Sequence, residues 1–257
     1  MMPLRRENPK RKAEPFVSVV TVVLDEPAGL AATIDSVRTQ TFADREHLVI
    51  DGGSREETLR VIEDRLAFLD VVVSEPDRGI YNAMNKAVSL ARGRWVIFLN
   101  AGDRFERDDV LERFRPGENS DLVYGDALWN ERPARMWTRR PIEELWKGMA
   151  FSHQALFARR EVLRELAFRE DLRVAADYDF VARCRAAGKR FEALDFIVAR
   201  IEPQGLSDTS PYRRTVERLG VARRAFPDKP VMSHYLKLLA GFARRDLGAI
   251  VRGRKAS

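Results

Sequence analysis

Apolar positions change period repeatedly along the first hundred residues. Phe16–Leu24 (FVSVVTVVL) is a β-branched run of strand length, the composition that packs on a pleated sheet rather than around a helix. Asp25 and Pro27 follow and open a segment with apolar residues at Leu30, Ile34 and Val37, the spacing of a helix that buries one face. His47–Ile50 is a second strand. It ends in Asp51-Gly52-Gly53-Ser54, where glycines permit a tight turn and Ser54 is placed to cap a helix carrying Leu59, Ile62 and Leu66. Val71–Ser74 is a third strand, followed by Glu75-Pro76-Asp77-Arg78-Gly79. Over Ile80–Ala91, the residues Ile80, Ala83, Met84, Ala87, Val88 and Ala91 share one helix face. Trp95–Leu99 is a fourth strand and runs straight into Asn100-Ala101-Gly102-Asp103. Strand and helix thus alternate from 16 to 100, which predicts a parallel, right-handed, doubly wound α/β sheet.

Beyond 104 the pattern loosens. Leu122–Tyr124 and Ala127–Trp129 read as short strands around Gly125-Asp126, Pro141–Gly148 as a short helix and His153–Phe157 as a strand. Ala176–Ala187 is a helix with Asp177 and Asp179 in its first turn, where carboxylates suit the helix dipole. Phe191–Val198 is a further strand, and from about 211 the chain is helical and basic.

Composition narrows the class. The 257 residues, 45% hydrophobic and 33% charged, suffice for one large globular core. The single cysteine, Cys184, excludes an internal disulfide framework and fits a reducing cytoplasm. No window approaches a membrane-spanning length of apolar residues. Residues 1–15 are basic without the apolar stretch of a signal peptide, so they are expected to form a disordered arm. Charge is uneven: +3 over 1–15, −6 over 16–210 and +9 over 211–257. An acidic body with basic ends argues against nucleic acid and favours contact with an anionic membrane surface.

Four loops fall at the C-terminal ends of the four parallel strands, the edge where open α/β sheets bind ligands. They carry Asp25, Asp51, Glu75, Asp77, Arg78 and Asp103, side chains suited to the base and ribose of a nucleotide and to a divalent cation between its phosphates. Neither GxGxxG after the first strand nor GxxxxGK[ST] occurs, which argues against a dinucleotide site and a P-loop.

Read in order, VSVVTVVLD, SVRTQTF, HLVIDGGS, SEPDRGIYNAMNKA, GRWVIFLNAGD, FSHQALF and AADYDF resemble the family 2 glycosyltransferases of the GT-A fold. These enzymes transfer a sugar from a nucleoside diphosphate with inversion. SEPDRGIYNAMNKA resembles the subgroup that builds bacterial exopolysaccharide, O-antigen and colanic-acid-type chains. The resemblance implies a GT-A domain over 16–210, with a nucleotide-binding half (16–103) and an acceptor and catalytic half (104–210), followed by a basic helical extension (211–257). It implies that Asp51 bonds the nucleobase, that Asp25 supports base and ribose from the first loop, and that Thr21 and Gly52 belong to the nucleotide-sugar site. It sets Asp77 and Arg78 at ribose and phosphate, and Asn82 and Asn85 on a helix facing the donor, for which a plain exposed face is the competing reading.

Asn100–Asp103 occupies the family's acidic metal turn, with Asn for the first acid and Gly for the middle one. Asp103 then remains as the ligand for Mn²⁺ or Mg²⁺, which can bind through one carboxylate, phosphates and water. Asp177 matches the general base, although a helix-capping role competes. His153, in an HQ pair, is expected at the diphosphate or acceptor, and Gln204-Gly205-Leu206-Ser207 resembles a loop closing over the donor. Implied partners are a UDP-, GDP- or dTDP-linked sugar and a sugar or polyprenyl-linked glycan acceptor, at the cytoplasmic face of the membrane. The 211–257 tail either lies on an anionic leaflet or packs on the body. A nucleotide-sugar-binding protein that has lost catalysis is the alternative, because the acidic turn is reduced.

Overall fold

The computed structural model describes residues 4–131, 133–202 and 211–253. Among these, ten strands form one mixed sheet. Its first half is the expected parallel block: β2 (Val17–Val23), β3 (Arg45–Asp51), β4 (Val71–Ser74) and β5 (Trp95–Phe98), in spatial order β4-β3-β2-β5. Helices α1 (Pro27–Arg38), α2 (Glu56–Asp64) and α3 (Ile80–Leu90) make the crossovers. All seven residues of β2 are buried, as expected of a strand covered on both faces. Val23, Val49 and Val72 pack under Leu30, Ile34 and Ile62 on the α1–α2 side, while Val20, Val22 and Ile50 face Ala83, Met84 and Ala87 of α3. Burial of each of the larger side chains contributes about 1.5–3 kcal/mol.

The arm expected to be disordered is instead partly ordered. Leu4–Glu7 forms β1, antiparallel to β4, with register Leu4↔Ser74 to Glu7↔Val71. Its LRRE side chains are exposed, so backbone pairing rather than apolar burial holds it. Arg11 then turns inward: its guanidinium, 2% exposed, meets Glu46, 1% exposed, at 2.6 Å.

The second half adds β6 (Arg104–Phe105), β7 (Leu122–Trp129), β8 (Arg135–Trp137), β9 (Leu156–Arg159) and β10 (Phe191–Ile201). Strand β9 is antiparallel to both β5 and β7, whereas β7 and β10 are parallel. Three expectations are corrected. The two short strands around Gly125 are one strand, His153–Ala155 is a 3-10 turn that precedes β9, and Ile142–Lys147 is 3-10 rather than α-helical. Short helices α4 (Val110–Arg113) and α5 (Arg160–Glu165) precede α6 (Ala176–Ala186).

The basic extension forms α7 (Pro211–Ala225) and α8 (Val231–Gly253), separated by Pro227 and Pro230. Val221, Ala222, Val231 and Tyr235 are buried in the same apolar cluster as Tyr178 and Phe180 of α6. A boundary at 210 therefore divides no core: α7 and the start of α8 belong to the body. No helix of the described residues is long and apolar enough to cross a membrane.

Candidate active site

The C-terminal edge of β2, β3, β4 and β5 gathers most of the residues expected there, with altered roles. Asp51, the last residue of β3, is fully buried, and its carboxylate accepts from the Gly53 and Ser54 amides and, at 2.6 Å, from the Ser74 hydroxyl. These bonds make the side chain part of the loop's own scaffold. Asp25 also serves that loop. It adopts φ 52, donates its N–H to Ser54 Oγ at 2.7 Å and accepts from the Arg55 amide at 2.8 Å. That amide bond, with the Arg55 side chain, holds the Asp25 carboxyl below its usual range. Ser54 thus serves Asp25 and leaves helix α2 without a side-chain cap.

Thr21 is the clearest misplacement. Its hydroxyl lies within the sheet, fully buried, 2.9 Å from His47 Nε2, away from the ligand edge. A side chain one position away on a strand faces the other layer, and a Val-rich run carries no sign of this polar pair.

Asp77 is a partly exposed acid on this edge. It accepts the Gly79 amide at 2.7 Å, and its other oxygen lies where a Cβ on Gly52 would stand, 2.5 Å from that position. Gly52 is therefore required by the approach of Asp77.

Arg78, Asn82 and Asn85 converge on a residue that the sequence does not single out, Glu170. Arg78 reaches it at 2.7 Å, Asn82 at 3.1 Å and Asn85 at 3.2 Å. Asn85 also exchanges two bonds with the Phe168 backbone. The two asparagines are not idle on an exposed face; they hold the segment that leads into α6. Arg78 stays 77% exposed, so its link to Glu170 is weak and exchangeable.

A second group surrounds the Asn100–Asp103 turn. Thr33 of α1 lies beneath it, donating to the Asp103 carbonyl at 2.7 Å and accepting from the Gly102 amide at 3.0 Å. Gly102 has φ +96, and a Cβ there would stand 2.9 Å from Glu202 Cγ. The turn thus requires glycine where the family carries its middle acid. Asp103 is 4% exposed and accepts from Gln154 Nε2 and the Glu202 amide, each at 3.1 Å. Burial pushes its carboxyl up to about 7. Asn100 Oδ1 is buried without a partner, and its Nδ2 lies 3.4 Å from His153 Nε2.

Across the imidazole, His153 Nδ1 lies 3.5 Å from Asp177 Oδ2. Desolvation lowers the His153 pKa, which keeps the ring neutral near pH 7. His153 therefore joins the turn to the carboxylate of α6. Asp177 Oδ1 accepts the amide of Tyr178 in the first turn of its own helix at 2.7 Å, so the carboxylate serves the helix start as well as the cleft. The amides just before that turn, of Arg173, Val174 and Ala175, are held by the carboxylate of Glu217 of α7 at 2.9–3.2 Å. Asp177 is left facing a cleft of about 100 Å³ lined by Asn100, His153, Trp129, Trp137, Met149 and Arg218. Sequence reasoning misses Arg218 and the two tryptophans, because helix and strand periodicity does not show which polar or aromatic residue meets a cleft.

No three of His, Cys, Asp and Glu cluster as a cation cage among the described residues. The turn nevertheless fits a cation that brings phosphate ligands with it. It offers a desolvated carboxylate and an unpartnered buried amide oxygen, and a divalent ion relieves both. The expected loop at Gln204–Ser207 lies outside the described residues.

Comparison with known proteins agrees with this layout. Over 224 residues the chain is 34% identical to a PGL/p-HBAD biosynthesis glycosyltransferase of Mycobacterium tuberculosis, covering 82% of this chain and 87% of the relative. An uncharacterized glycosyltransferase of Methanocaldococcus jannaschii is 25% identical over 199 residues, covering 71% and 69%. Among solved structures, S. aureus TarS 1–349 in complex with UDP-GlcNAc superposes with TM-score 0.67 at 19% identity, covering 90% of this chain and 72% of that one. The chain spans 43% of the longer TarS chain. The mannosyltransferase PcManGT from Pyrobaculum calidifontis, in complex with GDP-Man and Mn²⁺, superposes with TM-score 0.63 at 19% identity, covering 98% and 82%. These superpositions place the fold among the GT-A glycosyltransferases. Residues 18–166, which include the parallel block, the Asn100–Asp103 turn and the HQ pair, match the family described as Glycosyl transferase family 2, and the chain belongs to that family.

Proposed function

We propose that this protein is an inverting, metal-assisted hexosyltransferase that moves a sugar from a nucleoside diphosphate to an acceptor hydroxyl in cell-surface glycan or glycolipid synthesis. The observation that carries this reading is the line Asp103-turn, His153, Asp177. A carboxylate stands at one end of a cleft and a cation-suited turn at the other, joined by one imidazole. Inversion needs that separation: a base removes the acceptor proton on the face of the anomeric carbon opposite the leaving group.

Asp177 accepts the hydroxyl proton, and His153 orients its carboxylate. Asp103 and Asn100 would hold Mn²⁺ or Mg²⁺, which when bound neutralises charge on the departing diphosphate. Arg78 exchanges Glu170 for phosphate, and Asp77 approaches the ribose or base. The Mn²⁺, UDP-GlcNAc and GDP-Man held by the structural neighbours support a nucleotide sugar and a divalent cation here.

The extension supports a peripheral membrane contact. Met232, Leu236 and Leu238 are exposed on α8 beside Lys237, and Arg244 follows further along the helix. Release from anionic vesicles on Met232→Ser/Leu236→Ser substitution would support it, and unchanged partition would refute it.

The central test is calorimetric titration of UDP, GDP and dTDP with and without Mn²⁺, then donor turnover for the wild type, Asp103→Ala and Asp177→Ala. Metal-dependent binding, with turnover that both substitutions remove, is expected. Metal-dependent binding without turnover on any donor would identify a nucleotide-sugar-binding protein instead.

A further inference from the structure

Arg218 of α7 reaches the cleft with part of its guanidinium buried. Its Nε is buried with no hydrogen-bond partner, and no ion pair to it occurs among the described residues. Other arginines near the cleft are matched: Arg78 with Glu170, Arg139 with Asp126 and Arg183 with Asp179. The guanidinium of Arg218 lies 5.8 Å from the ring centroid of Tyr178, the residue after Asp177, and it lines the same cleft as Asp177 and His153. Its influence reaches His153, whose protonation it disfavours. A guanidinium nitrogen buried without a partner is unfavourable, and an anion at the group relieves this. Glu217, one residue earlier, anchors this turn of α7 through three amides and so fixes where Arg218 projects.

The same cleft also carries an aromatic surface. Trp129 of β7 and Trp137 of β8 stack with centroids 5.7 Å apart and an interplanar angle of 9°. Such a wall suits the apolar face of a ring.

We propose that Arg218 and the Trp129–Trp137 pair form the acceptor subsite, and that the acceptor is a ring compound carrying a carboxylate or phosphate close to the hydroxyl that receives the sugar. This rests on the transferase reading given above. In an inverting displacement the base and the leaving group occupy opposite faces of the anomeric carbon. Arg218 stands with Tyr178 on the base side, whereas the diphosphate belongs to the Asn100–Asp103 turn and Arg78. A cation beside the base meets the acceptor. The anion holds the acceptor ring against the tryptophans and sets its hydroxyl at Asp177 Oδ2.

The test uses the full chain saturated with Mn²⁺ and UDP, or whichever nucleoside diphosphate binds. Methyl glucuronide against methyl glucoside probes a carboxylate, and glucose 6-phosphate against glucose probes a phosphate. The wild type is expected to bind one anionic member at least ~10-fold more tightly than its neutral partner, the scale of one charge-assisted hydrogen bond. Arg218→Gln should reduce that preference to within about twofold and leave UDP affinity and melting temperature unchanged, since no ion pair among the described residues is broken. Arg218→Lys should retain part of the preference.

Equal binding within both pairs, or no binding of any of the four probes, would overturn the assignment. So would an Arg218→Gln variant whose UDP affinity falls about tenfold, which puts the side chain on the diphosphate. A variant that melts several degrees lower makes Arg218 structural and overturns the assignment equally. Failure of the wild type to bind any nucleoside diphosphate would overturn the transferase reading itself, a different result from loss of acceptor preference alone.

Discussion

The two edges of the parallel block treat polar groups in opposite ways. At the N-terminal edge Glu46 receives the Arg11 guanidinium, the Ser18 hydroxyl and the amides of Arg92 and Gly93. At the C-terminal edge and the cleft beyond it, matching is incomplete. Burial pushes the Asp103 carboxyl up to about 7, Asn100 Oδ1 has no partner, and Arg218 Nε has none. Glu46 recovers its desolvation cost within the protein, whereas Asn100 Oδ1 and Arg218 Nε do not.

Substitutions at the two edges should therefore separate activity from stability. Asp177→Asn is expected to lower donor turnover by ~10²–10⁴, the usual loss of a general base, with melting temperature unchanged. A matched fall in both would make Asp177 a structural residue. Arg11→Ala does the reverse, leaving Glu46 buried and unpaired at a cost of ~3–5 kcal/mol in urea unfolding, while the folded fraction keeps its nucleotide affinity. A loss below about 1 kcal/mol would show that the saturated edge is not what holds the arm.

An intermediate effect is expected at Gly102. An alanine there takes a left-handed φ and meets Glu202, costing ~1–3 kcal/mol. The displaced turn should weaken nucleotide binding more with Mn²⁺ present than with it absent, as read by calorimetry.

Near neutral pH the smallest effect is the pH dependence itself, which grows only as the medium is acidified. Burial brings His47 down to about 3 from an ordinary 6.5, so the folded protein keeps the ring neutral where the unfolded chain takes a proton. The stability this contributes is complete above about 6.5 and falls as pH drops towards 3, by at most ~1.4 kcal/mol per pH unit. His47→Gln should flatten this slope in urea titrations across the window, and an unchanged slope would place the proton uptake elsewhere.

What can be read from the chain follows the same division. The Val-rich runs of β2, β3 and β4 and the apolar face of α3 identify themselves, because burial on both faces leaves a continuous signal. The four ligand-edge loops are legible as well, since they end those runs. Strand β1 is not legible: LRRE has no apolar period, and its order comes from backbone pairing with β4. Asp51 and Asp25 fall on the expected edge but with other partners, because spacing along the chain cannot show whether a carboxylate turns inward to amides or outward to ligand. Glu170 and Arg218 carry no local signal at all. Their roles arise from which distant segments meet, Asn82 with the loop before α6 and α7 with the cleft.

Glu217 has a consequence for how this protein could change over evolutionary time. By gripping the amides of residues 173–175, helix α7 sets the approach to Asp177, and through Arg218 it also faces the cleft. The halves of the protein are therefore heritable as separate modules only if the cut spares this helix. On the proposed assignment, exchange of residues 16–103 with a relative should alter the choice of nucleotide and leave the acceptor alone. Exchange of α7 should then carry acceptor choice and base placement together, in a helix outside the 18–166 stretch that matches the family.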